Sequence, residues 1–122
     1  MADAWSFGGD SNHLLDLVLA GKKTATSSLF SIYQNGMIKL PIEGSYHVIL
    51  DKDSVPRCVV LIEKTLVAKF KDIDEHHAHE EGEGDRSLTC WRDIHINFFS
   101  KYQGFSEESE ILCEKFKLIW AI

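Results

Sequence analysis

Apolar residues along this chain follow two rhythms, one helical and one extended, and the changes between them mark its elements. Leu14, Leu15, Leu17, Val18 and Leu19 are dense enough for one buried helix side, with Asp10 or Ser11 as N-cap and Gly21 as left-handed C-terminal cap. Leu29 to Tyr33 predicts a short helical turn ended by Asn35-Gly36. Tyr46 to Asp51 is β-rich, Asp51 to Pro56 is turn chemistry, and Arg57 to Phe70 is again extended, so the two runs predict an antiparallel hairpin. Pro41 and Gly44 suit a loop entering a barrel.

Asp72 to Asp85 is acidic and histidine-bearing, with one helical turn ending in Gly82-Glu83-Gly84. Ser87 to Tyr102 reads as a helix with Trp91, Ile94, Phe98 and Phe99 on roughly one face, ended by Gly104. Ile111 to Trp120 alternates in part, as a closing strand with one wet face does. Helices in a few places around several mostly antiparallel strands predict an α+β fold, a small β-barrel with flanking helices.

A length of 122 residues suits one domain, 1–122, with a single core, and 44% hydrophobic residues predict a folded one. No apolar run approaches the ~20 residues that span a bilayer, and no basic-then-apolar leader opens the chain. Cys58, Cys90 and Cys113 are an odd, widely spaced set without CxxC, so reduced thiols and a cytoplasmic setting are expected, with neither disulfides nor structural zinc. The net charge of −6 is uneven: Asp72 to Asp85 holds seven acids and no Lys or Arg, leaving 12 acids against all 13 bases elsewhere. That balance argues against a broad basic face for a phosphate backbone, but not against a pocket for one nucleotide or small molecule.

Three segments carry candidate chemistry. Gly21-Lys22-Lys23-Thr24-Ala25-Thr26 offers an ammonium and a hydroxyl at one wall, provided the chain bends between Lys23 and Thr26, because extended residues three apart face opposite ways. The plainer reading is a helix C-terminus with dipole-complementing lysines followed by a strand. The GxxxxGK[ST] phosphate loop is absent. In His76 to Asp85, HExxH is absent, His76 and Glu80 align at most two metal ligands, and no metal or other cofactor is expected. This segment is either a solvated acidic face or a source of one inward carboxylate, Glu81, opposite the lysine, with Glu83, Asp85 and Arg86 holding the loop. On the aromatic helix, Trp91 and His95 either line a pocket mouth that stacks a base or pack in the core; Trp5, Phe7, Gly8, Gly9 and Asp10 carry the same two readings.

Together these segments resemble the ASCH domain, a PUA-like β-barrel family. The resemblance rests on Gly21-x-Lys23-x-x-Thr26 after a helix, the strands at 46–50 and 58–62, and the carboxylate segment. It is greatest to longer bacterial members, through Trp5-Ser6-Phe7-Gly8, Leu19 to Thr26, Glu81 to Asp85, and Trp91, Arg92 and His95. The family implies an RNA or nucleoside-like ligand in a cleft beside the barrel. One short bacterial branch is an amidohydrolase acting on N4-acetylcytidine through a lysine, a threonine and a glutamate, which fall here on Lys23, Thr26 and Glu81. Lys22, Ser27, Asp51, Trp91 and His95 make up the expected ligand-binding set. Two departures concern the substrate: Ser27-Ser28 stands where the short enzymes continue into arginine, and the aromatic helix is an addition.

The chemistry so implied is attack by Thr26 Oγ on an acyl carbon, with backbone N–H groups near Ala25 or Thr26 at the oxyanion. An uncharged Lys23 would serve as base, with Glu81 orienting it or relaying a proton. An ionised Glu81 opposes that role, so either Glu81 is protonated or Lys23 is an electrostatic clamp and the base lies elsewhere. The alternatives are a non-catalytic RNA- or nucleotide-binding module, with Lys22 and Lys23 on phosphate and Trp91 or His95 on a base, and a ribonuclease using His95 or Lys23.

Overall fold

A computed structural model of the chain describes residues 3–36 and 38–122. Its elements are β1 (Asp3–Ser6), α1 (Ser11–Leu19), β2 (Ala25–Leu29), α2 (Ser31–Gln34), β3 (Tyr46–Leu50), β4 (Pro56–Lys69), α3 (Glu75–Glu81), α4 (Leu88–Phe99) and β5 (Glu110–Ala121), with a 3-10 turn at Phe70–Asp72. The strands form one sheet in the order β1-β3-β4-β5-β2. It curls into a half-barrel, antiparallel except where β1 runs parallel to β3. The fold is therefore the expected α+β one, with β1 and β2 as its edges.

Local chemistry sets the helix limits. Asp10 caps α1 by accepting from His13 N, Asp74 caps α3 by accepting from His77 N, and Ser87 caps α4 by accepting from Cys90 N. The acidic stretch thus makes two helical turns rather than one, because Asp74 supplies a cap. β1 is a strand that the apolar pattern did not single out: four residues are too short to display a period, and the partner, β3, lies some forty residues away.

The sheet separates two cores. Phe7, Leu15, Val18, Ile49, Cys58, Val60, Ile62 and Phe116 pack on one side; Leu29, Phe70, Ile73, Ala78, Trp91, Phe99, Ile111 and Cys113 pack on the other. Alternation along β5 sends Ile111 and Cys113 to the α3–α4 side and Phe116 to the α1 side, and Glu114 shares the parity of Phe116. Across on β2, Ser27 pairs with Cys113 and Thr26 with Glu114, so the two hydroxyls face opposite sides.

The turn after α3 brings the acidic loop against the α1–β2 junction. Gly82 takes φ +77° there, and a Cβ would collide with the Lys22 carbonyl oxygen. Gly82→Ala is therefore expected to cost about 2–4 kcal/mol, from the left-handed backbone and the clash together. Gly104→Ala shares the positive φ but meets open space, and is expected to lose only the backbone part. Urea denaturation midpoints of both variants check this; equal losses would contradict it.

Candidate functional site

The site is built on one carboxylate. The backbone leaves α1 with Lys23 N donating to Leu17 O (3.1 Å), and Thr24 N then donates to Glu80 O (2.7 Å), which docks the end of α3 beside the lysine. Lys23 Nζ donates to Glu81 Oε1 at 2.9 Å and to the Glu81 carbonyl at 3.4 Å, and both residues are buried. The other oxygen, Oε2, accepts from Ser27 Oγ (2.5 Å), Trp91 Nε1 (2.7 Å) and His77 Nε2 (2.9 Å). Ser27 Oγ also lies 2.7 Å from His77 Nε2. Its single proton goes to Glu81, so the proton on His77 Nε2 serves both of that nitrogen's contacts.

These contacts set the electrostatics. Burial alone would raise the Glu81 carboxyl, but the Lys23 ammonium and the hydrogen bonds from His77 and His95 outweigh it and hold the group well below the ordinary carboxylate range. His95 Nδ1 sits 2.8 Å from the Trp91 carbonyl, which can only accept, so Nε2 is left facing Glu81 at 3.6 Å and Glu83 at 3.8 Å. Burial would lower the imidazole, yet the Glu81 hydrogen bond and charge, with Glu83 behind, raise it. Glu83 moves the other way, raised by burial and by Glu81 against the pull of Lys23. Glu81, Glu83 and His95 offer three donor atoms within 4.8 Å of one another. The Glu81 oxygens are already filled by donors and an ammonium, so an added cation would meet like charge.

A cavity of about 350 Å³ opens on this web, lined by Lys23, Thr26, Ser27, Glu81, His95 and Phe98 among others. Past Thr26 and Phe98, a second chamber of about 560 Å³ is walled by Trp5, Ser28, Tyr33, His47, Tyr102 and Glu114. Lys23, Thr26, Ser27, Glu81 and His95 thus border one cavity, and β2 begins at Ala25, between Lys23 and Thr26.

Other expected ligand-binding residues are not brought there. Lys22 is exposed and presents its carbonyl to Arg86 Nη2 at 3.2 Å; its N–H shares the Leu17 carbonyl with that of Lys23, but only the Lys23 side chain is buried. Asp51 closes the β3–β4 turn, accepting from Asp53 N (2.9 Å) and Val55 N (3.0 Å) and pairing with Arg57 at 3.5 Å, and it lines neither chamber. Trp91 stands behind Glu81, its ring stacked between Phe70 and His95 at 5.2 and 4.3 Å, so its face is already occupied. The helical stretch of acids and histidines has an outer pair, His76–Glu80 at 3.2 Å, and an inner pair, His77–Glu81. His77 and Glu114 are site residues that local pattern did not mark; the i, i+4 spacing to Glu81 was the available signal for His77.

The ASCH domain family model matches residues 3–120. Among solved structures, the chain is similar to an ASCH domain from Lactobacillus crispatus, at 31% identity and a TM-score of 0.89, covering 96% of this chain and 79% of that one. A protein from Enterococcus faecalis shares 32% identity at a TM-score of 0.85, covering 100% of this chain and 82% of that one. An ASCH protein from Zymomonas mobilis shares the fold alone, at 12% identity and a TM-score of 0.59, covering 99% of this chain and 71% of that one. No curated protein matches. The chain belongs to the ASCH domain family.

Removing the Glu81 charge strands the Lys23 ammonium in the interior, so Glu81→Gln is expected to cost about 3–5 kcal/mol near pH 6. The folded carboxyl lies below its unfolded value, so its contribution is present above the unfolded pKa and is lost as pH falls toward the folded one. The gap between wild type and Glu81→Gln should therefore narrow once the pH drops below about 4. Urea midpoints measured from pH 7 to pH 3 test this, and a gap independent of pH would refute it.

Proposed function

We propose that this ASCH domain binds a nucleoside in the cleft and hydrolyses an acyl amide on it, with N4-acylated cytidine as the substrate class. The observation that carries the reading is that Lys23, Thr26 and Glu81 border a single cavity, although Glu81 lies 58 residues from Lys23. The family resemblance supports it, since that branch uses the same three residue types.

On this reading the three groups take different tasks. Thr26 carries the attacking hydroxyl: it stands at the edge strand, borders both chambers, and is free of the hydrogen bonds that occupy Ser27. Lys23 is an electrophile rather than a base. Its Nζ donates to Glu81 Oε1 at 2.9 Å and to the Glu81 carbonyl, and in a site walled by Phe7 and Phe98 this donor is positioned to stabilise the oxyanion that forms on the acyl oxygen. Glu81 fixes the ammonium's position and balances its charge. His95, whose Nε2 faces Glu81 and Glu83 and whose proton affinity they raise, lines the same wall. The paired chambers suit a substrate in two parts, an acyl group beside Lys23 and a base on the far side of Thr26, between Trp5 and Tyr102.

Release of acetate from N4-acetylcytidine is the direct test. Thr26→Ala and Lys23→Met are each expected to lower kcat/KM by at least about a hundredfold, in keeping with the loss of a nucleophile or of an oxyanion donor. Thr26→Ala should keep the unfolding midpoint of the wild type, because among the described residues no hydrogen bond depends on its hydroxyl. Undiminished turnover in Thr26→Ala would refute the assignment. Cytidine binding without turnover by the wild type would favour a binding module instead.

A further inference from the structure

We propose that Glu114 is the acid–base partner of Thr26, taking the hydroxyl proton as the alcohol attacks and handing it to the departing amine. The inference rests on the amide-hydrolysis reading above, and it supplies the base that Lys23 cannot be.

Three observations carry it. Lys23 is committed as a donor twice over, to Oε1 and to the carbonyl of Glu81, and accepts nothing. Glu114 lies directly across the β2–β5 ladder from Thr26. Opposed residues in an antiparallel pair have Cβ atoms about 4.5–5.5 Å apart on one face, close enough for side-chain rotation to join a carboxylate to a hydroxyl. Catalytic hydrogen bonds are commonly loose before substrate binds. Finally, Glu114 is only 6% exposed, yet among the described residues no donor reaches its carboxylate, and it lines the second chamber beside Thr26. Its oxygens open on that chamber, since Ser11 Oγ alone among the described residues is a fully enclosed side-chain polar atom without a partner, so the carboxylate is available to a group in the cavity.

Its surroundings set the proton affinity. Tyr33 from α2 lines the chamber with its hydroxyl 2.8 Å from Ser28 Oγ, and His47 from β3, Lys39 from the loop before β3, and Asp3 from β1 line it too. Thr65, opposite on β4, carries no charge, and Lys23 and Glu81 act from the neighbouring chamber. Burial, reinforced by the Glu81 charge and only partly offset by Lys23, pushes the Glu114 carboxyl up to about 7. At neutral pH such a group accepts and returns a proton with nearly equal ease.

The steps balance. The Thr26 Oγ–C bond forms as the carbonyl electrons move onto oxygen, and the hydroxyl proton passes to Glu114. The C–N bond then breaks, the nitrogen takes that proton, and an acyl-threonine ester and a free amine result. Water repeats the sequence on the ester: it gives its proton to Glu114, which returns it to Thr26 Oγ as the acid leaves.

The test is the pH–rate profile of acetate release from N4-acetylcytidine for wild type, Glu114→Gln and Glu114→Asp, alongside cytidine binding. For the wild type, kcat/KM should rise with pH through an inflection near 7. Glu114→Gln should lose that inflection and about 10²–10⁴-fold in kcat, with the dissociation constant for cytidine changed less than about threefold. Should the glutamine variant not fold, Glu114→Asp decides: a shortened carboxylate should keep an inflection while losing at least about tenfold in rate. A Glu114→Gln protein with the wild-type rate and inflection overturns the proposal alone, as does a Glu114→Asp protein with the wild-type rate. A wild type that binds cytidine without turnover overturns the hydrolytic reading and the proposal together.

Discussion

The buried ion pair between Lys23 and Glu81 is the constraint to which the rest of the structure answers. Two charges taken out of water are tolerated only when geometry and surrounding donors replace what the solvent gave them. Here the replacement draws on four parts of the chain: the α1–β2 junction for Lys23, β2 for Ser27, α3 for Glu81 and His77, and α4 for Trp91. None of these can shift alone without leaving a charge or a polar atom unpaired in the interior. The glycines of Glu81 to Asp85 follow from the same demand. Gly82 lets α3 end against the Lys22 carbonyl, and Gly84 lets the loop pass close to Cys90.

Strand alternation then divides the labour around that pair. Ser27 turns toward the helices and is spent on Glu81, while Thr26 turns toward the side it shares with Glu114. A one-residue slip of β2 against β5 would exchange the two hydroxyls and place a threonine in the carboxylate web. The half-barrel protects against this, because Ala25 and Leu29, at the two ends of β2, are both buried. Register is thus held by apolar residues, and the chemistry of the cleft is inherited from it.

Much of this was legible from residue order, for identifiable reasons. The helices of α1 and α4 announced themselves through period and caps, and β3, β4 and β5 through β-branched or alternating runs. The meeting of Lys23 and Thr26 with Glu81 was readable through the family resemblance, since no local spacing spans 58 residues. β1 was hidden by its shortness and its parallel pairing. Asp51 looks like a site acid in sequence but serves the turn it stands in, and Trp91 looks like a stacking platform but has both faces covered. Glu114 gave no sign, because a lone acid in an alternating strand reads as the wet face; only the pairing with Thr26 reveals that this position is buried.

The same geometry explains how the chain accommodates its two departures from the short amidohydrolases. The position after the threonine faces Glu81, His77 and Trp91, where an arginine would set a second cation beside Lys23 and compete for one carboxylate. A serine hydroxyl donates there without adding charge or bulk, and His77 Nε2 fills the remaining space beside it. The added aromatic helix acts at the opposite wall. Phe98 packs so closely on Gly8 that a Cβ at that glycine would lie 2.9 Å from the ring, and the same ring borders both chambers. A wall made by a helix side chain and a glycine strap, rather than by the sheet, sets the width of the cleft. The width of the cleft is therefore set by α4 and the β1–α1 loop, while Lys23, Thr26, Glu81 and Glu114 come from the α1–β2 junction, β2, α3 and β5.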